Sequence, residues 1–90
     1  MDAIRDKLIN ALDDWDYDVD IVIRLTDGIT IVLDGNYKTL EINEDIILTD
    51  VDHWEFGFDY ISFIEPHGFP DVMVRIFFDT IKEVFATKME

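Results

Sequence analysis

The chain has 90 residues, a formal net charge of −14, 49% hydrophobic and 13% aromatic residues, and no Cys. That length fits one acidic domain over residues 1–90, burying about 60–65% of the surface its unfolded form exposes. The apolar and aromatic share excludes an intrinsically disordered chain, and the lack of Cys excludes disulfides and a thiolate metal cage.

Asp2 and Asp6 stand among the first apolar residues where a basic leader would be, and no uncharged run approaches the ~20 residues a bilayer demands. The expectation is a cytoplasmic protein with no membrane partner. The charge is also unevenly placed: residues 13–65 hold fifteen acids against Arg24 and Lys38, so that segment carries −13 of the −14.

Ile4, Leu8, Ala11, Leu12 and Trp15 recur at helical spacing opposite a stripe of Asp2, Asp6, Asn10 and Asp13, which predicts an N-terminal amphipathic helix with Asp2 as N-cap. The crowd of Asp at 13–16 disfavours its extension. Residues 13–20 then read as the start of an extended strand running on through Leu25, with Asp14, Asp16, Asp18 and Asp20 in one row and Trp15, Tyr17 and Val19 in the other. Carboxylates in such a row repeat every ~6.7 Å, commensurate with the ~3.4 Å charge repeat of one DNA strand.

A three-residue loop at Thr26, Asp27 and Gly28 pairs Leu25 with Ile29, Ile23 with Ile31 and Ile21 with Leu33, all on one face. A two-residue loop would divide the apolar set between the faces. A second turn at Gly35 and Asn36 pairs Ile31 with Leu40 and Ile29 with Ile42, completing a meander with one dry side. Its wet side would show Asp18, Asp20, Arg24, Thr30, Asp34, Tyr37, Thr39 and Glu41.

Asn43, Glu44 and Asp45 read as a turn, residues 46–51 as a short strand, 54–64 as a further strand region with burial on both faces or a bulge at Gly57, and 65–70 as a loop. In the last segment Asp71, Arg75, Asp79, Lys82 and Ala86 follow a helical track, which predicts one helix over residues 70–88 lying on the dry side through Val74, Phe77, Phe78, Ile81, Val84 and Phe85. The fold class is therefore α+β: an N-terminal helix, an antiparallel meander of three to five strands, and a C-terminal helix packed on one sheet face.

Candidate chemistry is sparse. Asp14, Asp16 and Asp18 have calcium-loop spacing, but Val19 stands where that loop needs Gly and Leu25 where it needs a bidentate Glu. Asp50, Asp52, His53 and Glu55 are donors for a small metal-binding domain, with His67 a second imidazole, yet two His without Cys or a helical His pair are weak evidence for zinc. Ser62 is the sole Ser and has no glycine-flanked elbow, so nucleophilic catalysis lacks an obvious nucleophile, and the chain is expected to act without catalysis or cofactor. An acidic face also repels nucleic acid, which rules out direct binding to it.

What remains is the charge. Solubility needs interspersed signs, not fifteen acids against two bases. In its size, its row of Asp14, Asp16, Asp18 and Asp20 and its placement of charge, the chain resembles the small acidic phage inhibitors of host defence: anti-CRISPR proteins and anti-restriction DNA mimics. The resemblance implies a partner with a basic nucleic-acid-binding groove, such as a Cas effector or a restriction enzyme. The surface expected to meet it comprises Asp14, Asp16, Asp18, Asp20, Asp34, Tyr37, Glu41, Asp50, Asp52 and Glu55. The competing expectation is an acidic assembly subunit whose aromatic residues (Trp15, Tyr17, Trp54, Phe56 and Tyr60) include exposed anchors for another protein.

Overall fold

A computed structural model describes residues 3–65 and 72–88. Helix α1 (Ala3–Asp13) buries Leu8 and Leu12 and half-buries Ile4 and Ala11, the stripe that its sequence period places together. Eight strands follow: β1 (Val19–Leu25), β2 (Thr30–Asp34), β3 (Thr39–Ile42), β4 (Asp45–Leu48), β5 (His53–Phe56), β6 (Tyr60–Glu65), β7 (Val72–Phe77) and β8 (Ile81–Lys88). They form a five-stranded antiparallel sheet in the order β4-β3-β2-β1-β8 and a three-stranded one in the order β5-β6-β7.

The first hairpin matches its sequence reading. Ile21 pairs with Leu33 and Ile23 with Ile31, Leu25 N donates to Ile29 O at 2.8 Å, and Gly28 takes a φ of 95° that L side chains avoid. The second is displaced by two residues: Ile31 pairs with Ile42 and Leu33 with Leu40. The cause is Asp34, whose Oδ1 accepts from the backbone N–H of Asn36 at 2.8 Å and of Tyr37 at 2.9 Å and so draws four residues into the loop. A shift of two keeps side-chain parity, so the apolar face survives.

The C-terminal helix is overturned. Residues 72–88 form β7, a single 3-10 turn at Phe78–Thr80, and β8; Pro70 and Asp71 of the predicted helix lie outside the described residues. Arg75, a member of the helical track, instead donates from Nε to Ser62 Oγ at 3.2 Å and lies 4.2 Å above the Tyr60 ring of the neighbouring strand. The β-branched Val72, Val74 and Ile76 alternate at the strand period, and β8 gains a full ladder with β1, from Val19 against Lys88 to Leu25 against Ile81. Residues 54–64 likewise divide: β5 and β6 are separate strands joined through Gly57, whose N–H donates to Tyr60 O at 2.8 Å.

The core lies between the two sheets, with α1 packed against β8 of the larger one: Leu8, Trp15, Ile21, Ile23, Ile31, Leu33, Leu40, Ile61, Phe63, Ile76 and Val84 are buried together. The outer face of the larger sheet is less anionic than its sequence reading implies. Asp20, Arg24, Thr30, Asp34 and Glu41 do share it, but so do half-buried Val22, Val32 and Phe85, which sit side by side in the ladder. Asp18 and Tyr37 belong to loops, and Thr39 is buried.

The β3–β4 connection holds a testable strain. Asn43 and Glu44 form a two-residue hairpin loop, with φ of 49° and 76° respectively, the primed geometry that favours Asn followed by Gly. Asn43 is further fixed by Thr30 N, which donates to its Oδ1 at 3.0 Å. Glu44 gains nothing equivalent that accounts for its backbone, so Glu44→Gly is expected to stabilise the fold by about 0.5–1 kcal/mol in urea denaturation. A loss of stability would show that the side chain, not the backbone, sets this turn.

Candidate acidic interface

The acids of residues 13–20 do not form the strand row their alternation predicts. Asp13 ends α1, Asp14 lies in the turn that follows, and β1 begins only at Val19. The local chemistry of Asp explains this: Asp16 Oδ1 accepts from Tyr17 N at 2.7 Å and Asp16 O accepts from Val19 N at 3.0 Å, closing a turn that competes with extension. The carboxylates at 14, 16 and 18 therefore project from a turn, and the DNA-like spacing inferred from a strand does not apply to them. Asp20 alone of the four lies on β1.

That turn is pinned to the β2–β3 loop. Gly35 N donates to Asp20 Oδ1 at 3.0 Å, and the buried Gly35 Cα lies against the carbonyl oxygens of Asp16 and Val19 so closely that no side-chain carbon fits. Lys38 O in turn accepts from Val51 N at 2.7 Å, which ties the residues after β4 to the same end. These contacts bring Asp16, Asp18, Asp20, Asp34, Tyr37, Asp50 and Asp52 to three neighbouring segments at one end of the larger sheet, while Asp14 lines a groove between α1 and β8 beside Lys7 and Phe85. Tyr17 and Tyr37, 70% and 72% exposed, stand among them. Two sequence candidates fall elsewhere: Glu41 is on the outer sheet face beside Thr30, Val32, Asn43 and Glu44, and Glu55 is on β5, where its Oε2 lies 3.3 Å from His53 Nε2.

Of the two cations of residues 13–65, one is paired away from this rim and the other lies beside Asp52 at its edge. Arg24 pairs at 3.2 Å with Glu83, an acid outside that segment, and lies over the Phe85 ring at 5.5 Å. Lys38 places its Nζ 4.1 Å from the centre of the Trp15 ring. Sequence reasoning missed this use of Lys38; its isolation as one of two bases among fifteen acids was the available signal. Crowded carboxylates repel, and added salt screens them, so the melting temperature is expected to rise by a few degrees, roughly 2–5 °C, between low and moderate NaCl. A steady fall would mean that the acids are internally paired.

The aromatic candidates separate by burial. Trp15 is buried, with Nε1 donating to Leu33 O at 3.2 Å, and Trp54, Phe56 and Tyr60 are half-buried; Tyr17 is the exposed one. Among the described residues no group of three or more His, Asp or Glu is placed to hold a metal ion, and no helix is long and apolar enough to cross a membrane; His67 lies outside those residues. Ser62 is buried beneath Arg75. No family model, curated protein or solved structure matches the chain.

Proposed function

We propose that this protein is a stoichiometric, non-enzymatic inhibitor that seats its acidic rim in the basic, nucleic-acid-binding groove of another protein, in the manner of anti-CRISPR and anti-restriction DNA mimics. The observation that carries the reading is the −13 charge of residues 13–65 and the gathering of its turn and loop acids at one end of the sheet. A basic groove evolved to hold phosphates gives fast, salt-sensitive association with such a surface, and bound carboxylates occupy the Lys and Arg that phosphates need. Exposed Tyr17 and Tyr37 add contact area with few rotamers to freeze, as interface anchors do. The encounter belongs in the cytosol, where a Cas effector or restriction enzyme works.

The test is capture from native cell lysate at low and high salt, with duplex DNA as competitor. The reading expects a nucleic-acid-binding partner, retained at low salt, released at high salt and displaced by DNA. A partner held equally at both salts and indifferent to DNA overturns it.

The assembly-subunit reading has its own support: Ile46 is 58% exposed on the edge strand β4, and Phe58 is 98% exposed in the β5–β6 turn. That reading expects salt-insensitive binding lost on Ile46→Lys or Phe58→Ser.

A further inference from the structure

Beside the acidic rim, Trp15, Lys38, Val51, Asp52 and Trp54 line a cleft of about 230 Å³. Its walls are fixed independently of its occupant. The Trp15 indole is held by its hydrogen bond to Leu33 O, and the Trp54 ring meets it edge-on at 5.7 Å and 63° while leaning on buried Phe63 at 6.4 Å. Two indoles and an acidic residue are the components of a cation seat, and a cation already stands at its wall: the Lys38 ammonium, over the Trp15 face. Lys38 reaches it from a left-handed backbone, φ 56°, at the last position of the β2–β3 loop.

We infer that this cleft is a binding seat for an alkylammonium group, and that Lys38 is a built-in occupant that a lysine side chain of the basic partner displaces. The source of that lysine rests on the inhibitor reading; the seat itself does not. The Lys38 stem is flexible and its ammonium prefers water, so it leaves the indole readily, whereas the two rings stay. A tethered ammonium competes for the seat without the translational loss that a free cation pays. A partner lysine competes on equal terms only once the rim has docked and delivered it at similar effective concentration. The seat then discriminates among basic grooves that the charge alone would treat alike.

Trp15 and Trp54 are the only two tryptophans in the chain, so indole fluorescence excited at its red edge reports on this cleft. The full chain is titrated with tetramethylammonium chloride against NaCl at equal ionic strength, in the parent and in Lys38→Met, which removes the charge and keeps an apolar stem. Lys38→Gly, which also relaxes the backbone, serves as a second opened variant. The proposal expects a saturable change in both variants with tetramethylammonium and not with NaCl, a higher midpoint in the parent, and loss of the response in the Lys38→Met, Trp54→Leu double variant. Identical responses to the two salts, or a response that persists without Trp54, overturn it. The titration needs no partner, so a flat result removes the seat and leaves the salt-sensitive capture standing. Failure of that capture removes the inhibitor reading and leaves the seat measured.

Discussion

Replacing Gly35 with Ala is expected to lower stability by about 2–3 kcal/mol, a fall in melting temperature of roughly 10–20 °C for a domain of this size. The added carbon meets the carbonyl oxygens of Asp16 and Val19, both backbone atoms of a turn that is itself hydrogen-bonded, so neither side gives way as a flexible side chain would. The loop must lift from the turn. That breaks the Gly35 N bond to Asp20 and separates the acids of the rim. Gly28→Ala is the control, because its surroundings are open and its cost comes only from a positive φ of 95°; about 1 kcal/mol is expected there. Thermal melts of the two variants measure the contrast, and a Gly35→Ala protein melting within a few degrees of the parent would show that turn and loop are not in contact.

Neutralising the turn is expected to act on binding and spare the fold. Asp14→Asn, Asp16→Asn and Asp18→Asn together leave Asp20, and with it the bond from Gly35, untouched, and Asn at 16 still offers an oxygen to Tyr17 N. Stability should stay within about 0.5 kcal/mol of the parent. Each exposed charge pair with a basic groove contributes about 0.2–1 kcal/mol at low salt, so removing three weakens affinity roughly 3- to 150-fold and flattens its dependence on salt. Affinity measured across a NaCl series separates the cases: a parallel line, lower but equally steep, would mean that other acids carry the contact. An unchanged line would refute this surface.

The comparison between sequence and structure turns on Asp. Where Gly28 demanded a particular turn, the sequence specified the hairpin and its register. Where Asp34 and Asp16 bond to the backbone beside them, alternation misled, lengthening one loop and replacing a strand with a turn. The helical track of charges over residues 71–86 had no tertiary meaning: Arg75 is taken up by Ser62 and Tyr60 across the sheet, partners that only folding brings near. The same is true of the acidic rim. Its members were legible as residues, but their grouping depends on long-range contacts made by two loop positions, Gly35 with the Asp16–Val19 turn and Lys38 with Val51.

The place of β8 sets the order in which this protein can be made. β1 lies between β2 and β8, and its second ladder partner is made after every other strand of the two sheets among the described residues. Until then the emerging chain holds a meander in which β1 is an edge strand, with the ladder groups of Ile21, Val22 and Ile23 open on the side that β8 later covers. The negative segment has already been synthesised at that stage. Mutual repulsion between such segments is expected to hold the open ladders of neighbouring nascent chains apart.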